Sequence, residues 1–101
     1  MAVKLLNSAN FDQEINDTKV VIVDFFADWC GPCKRMAPAL EELSNERADI
    51  KICKINVDEA NDVAYKYGVS SIPCFISFKN GEVYKRIVGA RPKEDLLTLA
   101  E

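Results

Sequence analysis

Three stretches of the chain are apolar enough to form strands inside a sheet. Residues 19–27 read Lys-Val-Val-Ile-Val-Asp-Phe-Phe-Ala, a run of β-branched and aromatic residues with one carboxyl group inside it. Such a run is typical of a strand that is covered on both faces, as in a parallel or mixed sheet. Residues 50–57 predict a second buried strand and residues 74–78 a third. We expect the first of the three to be the central strand.

A long amphipathic helix is predicted between the first two strands. Met36, Leu40 and Leu43 recur at helical spacing, and acidic residues occupy the opposite side up to about Arg47. Pro38 lies inside this helix. Because proline lacks the backbone N–H that would complete the hydrogen-bond ladder, we expect a kink there.

The remaining elements are three shorter helices and two strands, predicted over residues 11–16, 60–67, 92–99, 3–6 and 83–88. Ser8 or Asn10 is expected to cap the first of these helices, Gly68 to end the second, and Pro92 to begin the last. Asn80-Gly81 predicts a tight hairpin turn. Strands that alternate with helices and then form a hairpin indicate the α/β class, with a mixed sheet and helices on both faces. We expect residues 1–101 to form a single domain.

Composition and charge narrow the function classes. With 49% hydrophobic and 29% charged residues, the chain has the composition of a protein with a packed core and not of a disordered one. A formal charge of −3 and scattered basic residues argue against nucleic acid as a partner. Residues 1–10 are too weakly apolar for a signal peptide, and no run reaches transmembrane length. We therefore expect a cytoplasmic protein that does not bind membranes.

The chain has four cysteines and no histidine. In a reducing cytosol, cysteines of this kind indicate redox or metal chemistry more than structural bridges. The absence of histidine removes the commonest general base and a major metal ligand. Proton transfer would then have to involve another side chain.

The spacing of Cys30 and Cys33 suits a reversible disulfide. Two intervening residues let the sulfurs meet in a small ring that can open without unfolding the domain. Pro32 is preferred in the first turn of a helix, which places Cys30 at the helix N-terminus, where free backbone N–H groups favour a thiolate. Cys30 is therefore the expected nucleophile. Cys33, one turn into the helix, is the expected resolving thiol.

Other interpretations of this pair remain open from the residues alone. Half of a zinc site would show the same spacing, but such a site needs further ligands, and Cys53 and Cys74 stand alone. If the chain binds a metal ion, the candidate ligands are Cys30, Cys33 and Cys74. A structural disulfide would fit an exported protein better. A binding module that uses the same surface without turnover is a further alternative.

Residues 29–34 read Trp-Cys-Gly-Pro-Cys-Lys and resemble the active-site signature of the thioredoxin family. The resemblance continues in register at Asp24-Phe25, Pro38, Lys54 and residues 67–69, 71–73, 78–81 and 88–90. It implies the thioredoxin fold, a central mixed five-stranded sheet flanked by four helices. It also implies a monomeric enzyme, without a bound cofactor, that reduces disulfides of target proteins through Cys30 and Cys33 and is itself reduced by thioredoxin reductase.

Asp24 and Lys54 are further candidate site residues. After Lys19, Asp24 is the only charged residue in its predicted strand, so we expect its carboxyl group to be buried and its pKa to be raised. The resemblance places Asp24 behind Cys33 as the base that deprotonates the resolving thiol, and Lys54 on the neighbouring strand within reach of Asp24. The alternatives are a hydrogen-bonded acid with no catalytic task and a lysine on a solvated edge.

A substrate-docking surface also follows from the resemblance. Pro73 is expected in the cis form, facing Cys30 and presenting the backbone of Ile72 to an extended substrate segment. Trp29 is expected to pack against the active-site loop and shield it. The whole surface comprises Trp29, Gly31, Pro32, Ile72, Pro73, Val88, Gly89 and Ala90.

Cys53 and Cys74 depart from the family pattern. Cys53 lies in an apolar strand, and we expect it to be a small buried hydrophobic residue. Cys74 follows Pro73 and so lies near the redox pair. We expect a packed, reduced thiol there too. The alternative is a third redox or regulatory cysteine.

Overall fold

Five strands and four α-helices follow one another along residues 3–101, the part of the chain that the computed structural model describes. Met1 and Ala2, which belong to the predicted domain 1–101, lie outside it. In chain order the elements are β1 (Lys4–Leu6), α1 (Phe11–Ile15), β2 (Val20–Phe26), α2 (Gly31–Glu46), β3 (Ile50–Asn56), α3 (Asn61–Lys66), β4 (Cys74–Lys79), β5 (Glu82–Val88) and α4 (Lys93–Leu97), followed by a 3₁₀ turn over Thr98–Ala100. None of these helices has the length and apolar character that crossing a membrane requires.

The strands form one mixed sheet in the order β1-β3-β2-β4-β5. β1, β3 and β2 are parallel, whereas β4 is antiparallel to β2 and β5 is antiparallel to β4. β4 and β5 are joined by the predicted hairpin turn, in which Asn80 and Gly81 both have positive φ (53° and 82°), as a two-residue turn requires. The predicted α/β class, the mixed five-stranded sheet and the central position of β2 are confirmed.

The sheet separates two apolar cores because successive side chains of a strand point to opposite faces. On one face, Val21, Val23 and Phe25 of β2 pack with α1 and α3. On the other face, Ile22 packs with α2 and α4. Asp24 has the same parity as Ile22, so its carboxyl group lies on the α2 side of the sheet.

The first turn of α1 is held differently from the sequence prediction. Asn10 is the N-cap residue, but its side chain makes no capping hydrogen bond. Instead, the backbone N–H groups of Asn7 and Asn10 donate to each other's side-chain oxygens at 2.8 and 2.9 Å. Ser8 donates its hydroxyl to Asp62 at 2.6 Å. Asn10, one of the two predicted cap residues, is therefore the N-cap of α1, but its side chain does not bond to the helix because it is engaged with Asn7. Pro92 precedes α4 as its N-cap and is not its first residue.

Candidate active site

Cys30 and Cys33 lie where α2 begins, just after the loop that leaves the central strand. Cys30 is the N-cap of α2, and Pro32 lies in its first turn. The two cysteines are joined as a disulfide with their Cα atoms 5.3 Å apart. The backbone N–H of Cys33 donates to Cys30 Sγ at 3.2 Å. A free donor of the helix N-terminus thus faces the sulfur that the sequence predicts to be the nucleophile.

The disulfide is set in a small apolar cluster. Each cysteine is only 4% exposed. The other members of the cluster are Ala27, Phe26, Val57 and Ile72. A target disulfide must therefore come into close contact with the surrounding surface before Cys30 can react with it.

Two chain segments, residues 72–73 and 88–90, meet near the disulfide. Ile72 packs against the cysteine cluster, and the Ile72–Pro73 peptide bond is cis, as expected. The N–H of Gly89 donates to the carbonyl of Pro73 at 2.8 Å. Gly89 has a φ of 98°, which residues with a Cβ rarely adopt. Val88 pairs with Cys74 and is 44% exposed, and Ala90 is exposed after it.

Asp24 lies on the α2 face of the sheet and lines the same cleft as Cys33. Its side chain is 3% exposed, and its Oδ1 atom accepts no hydrogen bond from any group within residues 3–101. Burial raises the pKa of Asp24 to about 7, although the positive charge of Lys54 acts in the opposite direction. A carboxyl group in this state can exchange a proton near neutral pH.

Asp24, Cys33 and Lys54 line a common cleft of about 170 Å³. Lys34 and Glu41 of α2 and Asp28 of the loop after β2 also line it. The cleft is large enough for several water molecules, and it leads from the buried carboxyl group towards charged side chains. It therefore offers a route by which a proton can move between Asp24 and solvent.

Lys54 is the direct neighbour of Asp24 across the parallel strands β2 and β3. Within residues 3–101, no ion pair shorter than 4 Å involves Lys54. Its Nζ atom instead lies 5.6 Å from the centre of the Phe26 ring. Lys54 thus lies on the strand next to Asp24, and its positive charge acts on the Asp24 carboxyl group through space. The contact between Lys54 and Phe26 could not be predicted from the sequence, because nothing in the spacing of the residues links these two positions.

The environment of the Trp29 side chain differs from the prediction. Its side chain is 70% exposed, so the prediction that the indole packs against the active-site loop and shields it is wrong. The ring is held at its edge, where Nε1 donates to Asp58 at 2.8 Å. The partner lies in the loop after β3, and sequence pattern alone cannot single out one acidic loop residue as that partner.

Cys53 and Cys74 are free thiols in the core on the α1 face, apart from the cysteine cluster of Cys30 and Cys33. Burial raises the pKa of Cys53 to about 11 and also raises the pKa of Cys74, which Arg86 partly opposes. Within residues 3–101, no group of three histidine, cysteine or acidic side chains is arranged to hold a metal ion. The structure therefore gives no support to a metal site that joins Cys74 to the redox pair.

Comparison with known proteins agrees with this geometry. A family model described as thioredoxin matches residues 2–101. This chain belongs to the thioredoxin family. It is 49% identical to the thioredoxin of Bacillus subtilis, covering 98% of this chain and 95% of that protein. The thioredoxin of Alicyclobacillus acidocaldarius is 47% identical, with 94% and 91% covered. A solved structure of Plasmodium falciparum thioredoxin superposes with a TM-score of 0.89 at 41% identity, covering 97% of this chain and 96% of that one.

Membership of the thioredoxin family gives the disulfide its function. The chain is a protein-disulfide oxidoreductase, and Cys30 and Cys33 form its redox-active pair. The thioredoxin fold that the resemblance implied is confirmed. In this chain the redox pair lies at the start of α2, and α2 packs on the central sheet.

Proposed function

We propose that this protein reduces disulfides of other proteins, with Cys30 as nucleophile and Cys33 as resolving thiol. The Cys30 thiolate attacks one sulfur of the target disulfide, forms a mixed disulfide and releases the other target sulfur as a thiolate. Cys33 then attacks Cys30 Sγ, which forms the intramolecular disulfide and releases the second target sulfur. Two electrons pass from the dithiol to the target, which leaves as a dithiol after taking up protons.

Asp24 is proposed to accept the proton of Cys33 in the second step. Its pKa of about 7 means that a substantial fraction is ionised at neutral pH and can act as a base. The shared cleft supports transfer through water, and Lys54 favours the ionised carboxylate through its charge. The Cys33 thiol is only 4% exposed, so its base must also be buried. Of the acidic residues that line this cleft, Asp24 is buried, whereas Asp28 and Glu41 are exposed.

The docking surface is proposed to comprise the segments that meet beside the disulfide. Gly31 and Pro32 begin α2, and Ile72 and Pro73 precede β4. Val88 ends β5, and Gly89 and Ala90 follow it. The exposed indole of Trp29, the residue before Cys30, is also proposed to belong to this surface. Backbone groups of Ile72 are then available to pair with an extended substrate strand.

Thioredoxin reductase is the proposed electron donor, and disulfide-containing proteins are the proposed targets of a monomeric enzyme. The reducing direction fits a cytoplasmic location, where glutathione and related systems keep thiols reduced. Two free core cysteines, Cys53 and Cys74, are consistent with such a compartment.

The observation that carries the proposal is a redox disulfide at a helix N-terminus whose resolving cysteine shares a cleft with a buried carboxyl group. A Cys33→Ser variant should therefore trap target proteins as mixed disulfides that mass spectrometry can identify after purification from a lysate. Cys30→Ser should trap none. A chain that functions only as a binding module would retain its function when both cysteines are replaced.

The role of Asp24 can be tested separately by single-turnover kinetics with a protein disulfide. Asp24→Asn should slow resolution of the mixed disulfide by at least about tenfold at pH 7, because the general base is lost. The matched control is Asp28→Asn, which removes an exposed carboxyl group from the same cleft. Equal rates in the wild type and Asp24→Asn would exclude Asp24 as the base.

A further inference from the structure

The segment that carries Ile72 and Pro73 has no regular secondary structure. It comprises residues 68–73, here called the Pro73 loop, and it joins the end of α3 to the start of β4. Two backbone hydrogen bonds hold its first residues, from Gly68 to Tyr65 at 3.1 Å and from Val69 to Ala64 at 2.9 Å. At its other end, Pro73 accepts from Gly89. The position of Ile72 therefore depends on how firmly the two ends of the loop are fixed.

One side chain from β5 contacts the residues that flank both ends of this loop. The Nη2 atom of Arg86 donates to the backbone carbonyl of Tyr67, the residue before the loop. Its Nη1 atom lies 3.8 Å from Sγ of Cys74, the residue after the loop. A single planar guanidinium thus links the end of α3 to the start of β4.

The sheet register explains why Arg86 can make both contacts. Arg86 is paired with Ile76 of β4, and paired residues of an antiparallel ladder share a face. Ile76 and Cys74 both belong to the core on the α1 and α3 face, where Tyr67 also packs. The guanidinium is therefore directed over the C-terminal end of α3 and not into the redox cleft.

The chemistry of both contacts suits arginine. Tyr67 is the C-cap of α3, and its carbonyl belongs to the group at a helix end that has no partner within the helix. A positive charge there is also favoured by the helix dipole. Arginine presents several donors in a fixed plane, whereas lysine presents a single point charge on a flexible stem. Lysine at this position cannot reproduce both contacts with one fixed geometry.

We propose that Arg86 is a positioning residue for protein substrates, which acts by fixing both ends of the Pro73 loop and hence the backbone of Ile72. The inference rests on the docking surface described under the proposed function. It adds that this surface is stabilised from β5, on the face of the sheet opposite the cleft of Asp24. A small disulfide that reaches Cys30 without lying along the Pro73 loop does not depend on Arg86.

Reduction of two substrates tests this role. Dithiothreitol recycles the dithiol in the steady-state insulin assay, whereas the small disulfide is mixed with the pre-reduced protein in a single turnover without dithiothreitol, which would reduce it directly. Insulin supplies a protein disulfide, and 5,5′-dithiobis(2-nitrobenzoic acid) supplies a small one. Arg86→Met, which keeps the apolar stem and loses all donors, should raise KM for insulin about three- to tenfold, the effect of losing one or two modest hydrogen bonds, with kcat unchanged. The rate with the small disulfide should stay within about twofold of the wild type. Arg86→Lys should raise KM for insulin by an intermediate factor.

Lys85→Met is the matched control on the same strand. Lys85 Nζ donates to backbone carbonyls near the C-terminus, those of Thr98 and Glu101, at 3.2 and 3.4 Å, and lies 5.1 Å from the centre of the Tyr84 ring. This variant should leave KM for insulin unchanged. An unchanged KM in Arg86→Met, or an equal loss with both substrates, would overturn the positioning role.

Val88→Glu separates this proposal from the docking surface on which it rests. Val88 lies on the proposed surface, and its side chain, unlike that of Arg86, carries no hydrogen-bond donor. A raised KM for insulin in Val88→Glu with an unchanged KM in Arg86→Met would overturn the role of Arg86 alone. An unchanged KM in Val88→Glu would overturn the docking surface and, with it, the positioning role. Thermal unfolding of each variant shows whether the protein used in the assay is folded.

Discussion

At the scale of single residues, the buried carboxyl group of Asp24 couples the stability of the protein to pH. Burial opposes ionisation of Asp24 in the folded state and so raises its pKa to about 7. In the unfolded chain the same carboxyl group has the ordinary pKa of 3.8. A residue suited to proton transfer at neutral pH therefore carries a cost in stability. That cost is a property of the folded environment and not of the aspartate itself.

The direction of this pH dependence follows from proton counting. Between pH 4 and 7, the folded state holds a proton on Asp24 that the unfolded state has released, so raising the pH lowers the free energy of unfolding. The difference between a pKa of 3.8 in the unfolded chain and one of about 7 in the folded protein corresponds to about 4 kcal/mol. In urea unfolding of the oxidised protein, Asp24→Asn should gain stability relative to the wild type as the pH rises from 4 to 7, with little further change above pH 8. Parallel curves for the two proteins would contradict this expectation.

At the scale of elements, α1 shows how a short helix depends on the rest of the fold. It has only five residues, which is too few to be stable alone in water. Phe11, its first residue, is 1% exposed, and its ring lies 6.1, 5.4 and 5.8 Å from the rings of Phe25, Tyr67 and Phe78. These contacts join α1 to β2, to the end of α3 and to β4.

Loss of the Phe11 ring should therefore be costly. Phe11→Ala should lower the free energy of unfolding by about 3–5 kcal/mol in chemical denaturation, because it removes a buried ring and leaves a cavity. The control is Tyr65→Ala on α3, where the ring is 89% exposed and the loss should stay below about 0.5 kcal/mol. Similar losses in the two variants would show that the ring cluster does not hold α1 in place.

At the scale of the whole molecule, the layered fold divides four chemically similar cysteines into two classes. Cys30 and Cys33 are at the N-terminal end of α2, beside the proposed docking surface. Cys53 and Cys74 are in the core between the sheet and the α1 side, 0% and 1% exposed. Burial in apolar surroundings favours the neutral thiol, which is a poor nucleophile.

Alkylation of the reduced, native protein should reveal this division. Brief treatment with iodoacetamide at pH 8 should label Cys30 first and leave Cys53 and Cys74 unlabelled in peptide mass mapping. With a pKa of about 11, only about one Cys53 thiol in a thousand is ionised at that pH, even without the added barrier of burial. Both core thiols should become reactive in urea. Labelling of Cys74 as fast as Cys30 in the native state would support a third redox cysteine instead.

The amino-acid sequence by itself determined the order and type of the elements and the redox pair. The period of the apolar residues shows whether a segment is buried on one face or on two. The Cys-x-x-Cys spacing shows which two sulfurs can bond. Both signals lie within short segments of the chain and need no knowledge of distant contacts. The same holds for the hairpin at Asn80 and Gly81, where the backbone itself demands these residues.

Only the tertiary structure decided which distant groups meet. The indole of Trp29 is held outward by Asp58, Lys54 lies over Phe26, and Arg86 joins the flanks of the Pro73 loop. Each of these contacts depends on strand register, since a shift by one residue would turn every side chain of a strand to the opposite face. Register is set by the packing of both cores at once, and no single segment of the sequence carries that information.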